Sequence, residues 1–269
     1  MYMKWFFCAA AGIALIALIC LPLSWALLWQ LPLAFFAALL GAMLLYWLFL
    51  AIVSLSIQKQ RDYDAPSPFY YRLLNSGYRF LCSGGRVRIH VSGIEKIPTD
   101  RRFLLISNHL SRFDPMVQSI ALGENRIAYI SKPENFSIPI GGRFVKRCCY
   151  LPIDRDNARN AVVTIKKAAG QIASGAISIG VYPEGHRGSS YELQEFRTGC
   201  LNTALLAKCP IVVTTISGTE KIHRNFPFRH TDVFFDVLDT VDPCGKRTVD
   251  LSQEFRLMMQ EQLNKRKEG

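Results

Sequence analysis

Two polar turns, each preceded by a short apolar run, hold the residues of this sequence that are best suited to chemistry. The first turn follows Phe103–Ser107 and contains His109 and Asp114, five residues apart. A carboxylate bonded to one imidazole nitrogen fixes the tautomer of the ring, and the other nitrogen is then free to remove a proton from a hydroxyl. The spacing therefore indicates a candidate acid–base pair. The alternative is that Asp114 simply caps the helix that begins there.

The second turn follows the apolar run Ala176–Tyr182 and contains Glu184, Gly185 and Arg187. Gly185 allows a positive backbone φ or a close approach of a ligand to the backbone. The planar guanidinium of Arg187 suits a phosphate group. By itself, this turn is equally consistent with a surface loop that carries a pair of opposite charges.

The elements that must position these turns are short strands that alternate with helices from residue 86 onward. Strands are predicted at Arg86–Val91, Phe103–Ser107, Ile127–Ser131, Tyr150–Ile153, Ala176–Tyr182, Ile211–Ile216 and Asp232–Asp239. Helices are predicted at Pro115–Leu122, Ala158–Ser174, Gly199–Ala207 and Leu251–Arg266. This alternation predicts an α/β domain over residues 61–269, with a mixed, largely parallel sheet flanked by helices. Because active sites of such sheets lie at strand ends, both turns are well placed for function.

The amino-terminal part of the chain is uncharged over the 54 residues between Lys4 and Lys59. A helix needs about 20 apolar residues to cross a bilayer. We therefore expect two apolar helices, Trp5–Leu28 and Leu31–Ile57, that form a membrane-anchoring helical hairpin within residues 1–60. The basic residues at both ends then place the rest of the chain on the cytoplasmic side of the cytoplasmic membrane.

Two alternatives to a spanning hairpin follow from the same residues. A hairpin that dips into one leaflet has the same composition. A cleaved signal peptide is disfavoured, because the apolar run continues well beyond one short apolar core. After the apolar run, Pro68–Leu81 is predicted to form an amphipathic helix, which lies either on the membrane surface or on the core of the domain.

Composition narrows the choice of partners. The net charge is +11, and +10 of it lies after residue 58, which favours an anionic lipid surface or an acidic substrate. No nucleic-acid partner is expected, because no recognition motif or basic helix is present apart from the short tail Lys265-Arg266-Lys267. The eight cysteines contain no C-x-x-C pair, which predicts free thiols in a reducing compartment rather than disulfides or a zinc site.

Taken together, the two turns resemble the glycerolipid acyltransferase family, and specifically its 1-acylglycerol-3-phosphate acyltransferases. Asn-His-x-x-x-x-Asp is followed some 70 residues later by Pro-Glu-Gly-x-Arg. The supporting blocks match in order over Arg86–Thr219: Lys132, Pro139-Ile140-Gly141-Gly142, Ile153-Asp154-Arg155, Phe196-Arg197-Thr198-Gly199 and Cys209-Pro210-Ile211-Val212. The sequence departs from the family pattern at His186, where the family usually has Thr or Ser, and near Val213-Thr214, where a proline is missing.

The resemblance implies transfer of a fatty acyl group from a thioester donor, acyl-CoA or acyl-carrier protein, to the sn-2 hydroxyl of lysophosphatidic acid. The product would be phosphatidic acid, a phospholipid precursor. It implies His109 and Asp114 as catalytic residues, and it implies a phosphate site formed by Glu184, Gly185, Arg187, Arg155 and Lys132. No metal or prosthetic group is expected, because a base, a phosphate site and a thioester suffice.

Three other functions remain open at this stage. Another lysophospholipid or glycerol-3-phosphate is an alternative acceptor. A membrane-bound thioesterase or serine hydrolase is disfavoured, because no Gly-x-Ser-x-Gly elbow is present. A non-catalytic membrane scaffold would have no need of His109, Asp114, Glu184 and Arg187 together.

Overall fold

The computed structural model describes residues 2–20, 27–123, 125–154 and 157–268. Residues 21–26, which lie within the first predicted apolar helix Trp5–Leu28, are outside this set, as is Arg155 of the predicted phosphate site.

A single seven-stranded sheet forms the centre of the protein. Its strands are β1 Val87–Ser92, β2 Leu104–Ile106, β3 Ile127–Ser131, β4 Leu151–Pro152, β5 Ser178–Val181, β6 Ile211–Ser217 and β7 Thr231–Val241. They lie in the order β1-β7-β6-β2-β5-β3-β4. Every neighbouring pair is parallel except β6 and β7. The mixed, largely parallel sheet predicted from the sequence is therefore confirmed.

Nine helices are found in the described parts of the chain. They are α1 Tyr2–Cys20, α2 Leu27–Leu55, α3 Pro68–Gly84, α4 Asp114–Leu122, α5 Gly141–Arg147, α6 Ala158–Ala173, α7 Asn202–Ala207, α8 Ile222–Asn225 and α9 Thr248–Glu268. The sequence analysis did not predict α5 and α8, which have seven and four residues. Elements this short do not complete the two turns that an apolar periodicity needs to be recognised.

Helices cover both faces of the sheet, which explains its apolar strands. On one face, Val233 of β7 packs with Val117 of α4 and Cys82 of α3. On the other face, Asp236 of β7 is bonded by Arg266 of α9. Alternate side chains of a strand point to opposite faces, so α3 and α4 lie on one side of the sheet and α9 lies on the other.

The two amino-terminal helices pack against each other and against α3. Phe6 of α1 contacts Tyr46 of α2 and Phe80 of α3, with ring centroids 5.7 Å and 5.4 Å apart. Among the described residues, one helix is long and apolar enough to cross a membrane. It is Trp29–Leu55, with a mean hydropathy of 2.4 and only 6% of its most apolar window buried. The described apolar part of α1 is shorter, Lys4–Ile16.

Helix α3 packs on the core of the domain, which was one of its two predicted placements. Tyr71, Leu74 and Tyr78 are buried, and the Tyr71 hydroxyl accepts the N–H of Ile127 at 2.8 Å. Phe69, in the first turn of α3, is 54% exposed.

The fit between β3 and β5 generates a stability prediction. A Cβ at Gly180 would lie 2.4 Å from Cε1 of Tyr129, and both residues are in the sheet. Gly180→Ala should therefore lower the free energy of unfolding by about 1–3 kcal/mol through overpacking, as measured by chemical denaturation in detergent.

The matched control is Gly170→Ala in α6, where a Cβ would meet nothing within 4 Å. This substitution should instead stabilise the protein by about 0.5–1 kcal/mol, because alanine favours the helix. Equal effects of the two substitutions would contradict the packing described here.

Candidate active site

Parallel strands bring the two polar turns to the same edge of the sheet. β2 pairs with β5 in parallel, with Ile106 opposite Val181, so the turns that follow these strands are neighbours. β3 lies on the other side of β5 and is parallel to it. His109, Glu184 and Lys132 therefore all follow strand ends on the carboxyl edge, where α/β folds place their active sites.

His109 and Asp114 form the predicted pair. Nδ1 of His109 lies 2.7 Å from Oδ2 of Asp114, and the same oxygen accepts the backbone N–H groups of Leu110 and Ser111 at 2.7 and 2.8 Å. Oδ1 accepts the hydroxyl of Thr219 at 2.5 Å. Because an ionised carboxylate only accepts hydrogen bonds, Nδ1 carries the proton in the neutral imidazole, and Nε2 then keeps its lone pair.

The geometry rules out the simpler interpretation of Asp114 as a helix cap. Asp114 is the first residue of α4, and Phe113 occupies the cap position. The carboxylate bonds the turn that precedes the helix rather than the free N–H groups of the helix itself. Asp114 is completely buried, whereas His109 keeps 18% of its side chain exposed. The imidazole is thus oriented from inside the protein and remains open to a ligand from outside.

Aromatic stacking supports the imidazole on one face. The Tyr182 ring lies parallel to the His109 ring, with centroids 4.1 Å apart and 12° between the planes. Tyr182 and Tyr129 both donate their hydroxyls to Oε1 of Gln118, at 3.0 and 2.9 Å. Burial raises the pKa of Tyr182 well above its ordinary value of 10.0, so its phenol remains a donor at neutral pH. The His109 ring therefore stacks on a neutral tyrosine whose position is fixed by its hydrogen bond to Gln118.

Glu184 connects the two turns. Its Oε1 accepts the backbone N–H of His109 at 3.2 Å, and its Oε2 accepts that of Gln194 at 3.3 Å. A further bond joins the turns, from the N–H of Gly188 to the carbonyl of His109 at 2.8 Å. Burial raises the pKa of Glu184, and the two backbone N–H groups lower it in part. The predicted contact of Glu184 with a phosphate remains a prediction, since its contacts here are with the backbone of both turns.

The remaining predicted phosphate residues lie around this pair. Gly185 has a φ of 78°, which glycine adopts without strain. Arg187 is exposed two residues further on, and Lys132 is exposed just after β3. Their roles stay predictions.

Three residues at the site were not assigned a role from the sequence. Thr219 reaches Asp114 from 105 residues away in the chain. Asn108 pairs its side-chain amide with both backbone groups of Ile216, at 2.8 Å each, and so ties the end of β2 to β6. Arg197 lies against Gly185, where an added Cβ would be 3.0 Å from its Nε. Only Asn108 and Arg197 had a sequence signal, since both belong to the motif blocks.

The described part of the chain holds no group of three or more His, Cys, Asp or Glu side chains that could bind a metal ion. The seven cysteines whose side chains the structure describes are free thiols: Cys8, Cys82, Cys148, Cys149, Cys200, Cys209 and Cys244.

Comparison with known proteins bears on the residues that build this site. A family profile described as acyltransferase matches residues 88–217, the segment from β1 to the end of β6. This segment of the chain is similar to acyltransferase domains. It contains His109, Asp114, Glu184 and Arg187, whereas Thr219 lies two residues beyond it.

Two individual relatives are also acyltransferases by name. A chloroplastic 1-acyl-sn-glycerol-3-phosphate acyltransferase of Arabidopsis thaliana is 31% identical over 50% of this chain and 37% of its own length. A 1-acyl-sn-glycerol-3-phosphate acyltransferase of Haemophilus influenzae is 29% identical over 56% of this chain and 64% of its own length. The chain thus spans less than two thirds of either relative.

The structural similarity extends beyond the segment that the family profile matches. A crystal structure of a 1-acyl-sn-glycerophosphate (LPA) acyltransferase of Thermotoga maritima matches with a TM-score of 0.60 and 22% identity, over 83% of this chain and 89% of that one. The shared fold therefore includes elements outside residues 88–217.

The contact between Thr219 and Asp114 generates a prediction. Thr219→Val removes the only side-chain donor to Oδ1 that the described residues supply, and it leaves a buried carboxylate oxygen without that partner. We expect a loss of about 1–3 kcal/mol in the free energy of unfolding, measured by denaturant titration, with a loss of activity in parallel.

Thr215→Val is the matched control, because the Thr215 hydroxyl is buried and has no hydrogen-bond partner among the described residues. Replacing an unpaired buried hydroxyl with a methyl group should be neutral or stabilising. Thr219→Val with the stability and activity of the parent protein would disprove the role of this hydrogen bond.

Proposed function

We propose that this protein is a 1-acylglycerol-3-phosphate O-acyltransferase, which moves an acyl group from a thioester to the sn-2 hydroxyl of lysophosphatidic acid and yields phosphatidic acid. The observation that carries the proposal is the buried Asp114 carboxylate, which orients His109 with Nε2 free at the sheet edge. The names of the Arabidopsis and Haemophilus relatives support the choice of acceptor.

The reaction follows from the state of the imidazole. Nε2 of His109 takes the proton of the sn-2 hydroxyl as the oxygen attacks the carbonyl carbon of the thioester. The new C–O bond forms, the C–S bond breaks, and the departing thiolate takes the proton back from Nε2. Asp114 stabilises the positive charge that the ring carries between these two proton transfers.

Cations around the second turn would hold the phosphate of the acceptor. Arg187 and Lys132 are exposed on the same edge of the sheet as His109, and Arg155 follows β4 in the chain. The guanidinium of Arg197, which lies beside Gly185, adds a further positive charge. Arginine forks bind phosphate oxygens in pairs, which fixes the orientation of the acceptor as well as its affinity.

The apolar helices would hold the enzyme at its lipid substrate. We propose that α1 and α2, within residues 1–60, form the membrane anchor and that the rest of the chain works on the cytoplasmic face of the cytoplasmic membrane. The exposed apolar side chains of α2, such as Trp29, Leu33 and Phe36 at 83%, 71% and 64% exposure, support this anchor. The basic ends of the uncharged stretch support the orientation.

Acyl-CoA or acyl-carrier protein would serve as donor, with no further cofactor. A hydrolase that uses Ser111 is a poorer alternative, because the Ser111 hydroxyl accepts the N–H of Phe113 at 3.3 Å and its own N–H donates to Asp114. A preference for another lysophospholipid is the nearest alternative, and an assay of the purified protein against a panel of lysophospholipids distinguishes it.

His109→Ala tests the assignment of the base. Loss of a general base costs about 10²–10⁴-fold in rate, so transfer to lysophosphatidic acid should fall by at least the lower factor, with membrane binding retained. His90→Ala, at a side chain that is 50% exposed on β1, is the control and should keep full activity. Turnover of His109→Ala close to that of the parent enzyme would refute the mechanism.

Arg187→Ala tests the phosphate site. Loss of a charge-assisted hydrogen bond of about 1.5–3 kcal/mol should raise the KM for lysophosphatidic acid by about 10- to 100-fold. The KM for an uncharged monoacylglycerol should change little. Arg247→Ala, at a side chain that is 82% exposed at the start of α9, is the control. An unchanged KM for lysophosphatidic acid would remove Arg187 from the site.

A further inference from the structure

The loop that follows β6 combines exposed aromatic rings with positive charge. We call residues Lys221–His230 the basic aromatic loop. It contains Lys221, Arg224 and Arg229, two histidines, and no Asp or Glu. Phe226 and Phe228 are 56% and 85% exposed. Two large exposed aromatic side chains are unfavourable on a surface that contacts only water. An anionic membrane surface binds both the aromatic rings and the cations around them.

Hydrogen bonds and one buried side chain fix the position of the loop. Arg86 donates to the carbonyl of Phe228 at 3.0 Å and contacts Nε2 of His230 at 2.9 Å. Asn225 donates to the hydroxyl of Thr231 at 3.0 Å, and Ile222 is buried in the core under α3 and α4. The backbone that carries Phe226 and Phe228 is therefore already ordered, which lowers the entropy cost of inserting the two rings into a membrane.

The basic aromatic loop lies toward the amino-terminal end of α2. Tyr46 of α2 bonds Ser76 of α3 at 2.8 Å, and Ser56, the residue after α2, bonds Tyr70 of α3 at 2.7 Å, so the two helices run in opposite directions. From Ser76, α3 continues for eight residues to Gly84, about 12 Å at 1.5 Å per residue, toward the amino-terminal end of α2.

The end of α3 then meets the loop. A Cβ on Gly85 would lie 3.4 Å from Cγ2 of Ile222, the second residue of the loop. The loop is therefore displaced along α2 toward the amino-terminal part of this helix, where Leu33, Phe36 and Leu40 are 71%, 64% and 58% exposed.

We propose that the basic aromatic loop is a second membrane-contact surface, which inserts Phe226 and Phe228 into the interface of an anionic bilayer while Lys221, Arg224 and Arg229 bind lipid headgroups. The surface is continuous with the apolar helices through α3, and its charge complements that of the lipid. Thr219, which bonds Asp114, precedes the loop by two residues. Insertion of the loop therefore brings the His109 edge of the sheet to the lipid surface, an effect that a helical anchor alone does not ensure.

A depth measurement on the full-length protein tests this proposal without relying on catalysis. An environment-sensitive fluorophore is attached at Phe228→Cys in a background with Cys8, Cys20, Cys200 and Cys244 changed to Ser, which leaves the buried thiols Cys82, Cys148, Cys149 and Cys209. The protein is reconstituted into vesicles of equal parts phosphatidylcholine and phosphatidylglycerol that carry a nitroxide high on the acyl chain. The matched control is Leu257→Cys on α9, where the native side chain is 72% exposed on the opposite side of the sheet from α3.

The expected result is strong nitroxide quenching at position 228, little quenching at 257, and iodide in the buffer quenching 257 but not 228. Changing Arg224 and Arg229 to Gln should reduce the quenching at 228 in these vesicles. Equal quenching at both positions, or ready access of iodide to 228, overturns the proposal. A label at 228 that is shielded from iodide but is not quenched by the nitroxide also overturns it, because protein rather than lipid then covers the loop. The quenching measurements do not depend on the acyltransferase assay, so either proposal can fail without the other.

Discussion

The buried carboxylate of Asp114 is the interaction on which the arrangement of the site depends. It accepts donors from the imidazole of His109, from two backbone N–H groups of the turn, and from Thr219 beyond β6. A buried charge without partners is costly, so the turn must curl around the carboxylate and Thr219 must reach it. One charge thereby sets the shape of the turn, the tautomer of the histidine and the distance between two loops.

The sheet supplies the frame that makes this possible. β2 is central, short and completely buried, and its parallel neighbours bring the turns after β2 and β5 together. Asn108 then ties the end of β2 to β6, and Glu184 ties the two turns to each other. The His109 imidazole is therefore held by hydrogen bonds that lead to rigid elements, as a positioned base would require.

The surface divides by chemistry in a way that suits a lipid substrate. The exposed apolar part of α2 and the basic aromatic loop lie toward the same end of α3, and the cationic side chains of the second turn lie on the carboxyl edge of the sheet. An acceptor with an acyl chain and a phosphate would match both surfaces, because its acyl chain is apolar and its phosphate is anionic. Helix α9, on the other side of the sheet, has mostly polar and charged residues and makes its apolar contacts inward, through Phe255 and Met259.

The amino-acid sequence by itself determined the elements and the pairing of His109 with Asp114. All seven strands and the longer helices were predicted from local apolar patterns, because burial on one or both faces of an element imposes a period that is visible in a short window. His109 and Asp114 were found because their contact spans one turn. Only the tertiary structure decided that Thr219 donates to the Asp114 carboxylate and that Tyr182 stacks on the imidazole. It also decided that Phe226 and Phe228 lie toward the amino-terminal end of α2. Each of these depends on contacts between residues far apart in the chain, and such contacts leave no periodic trace in the sequence.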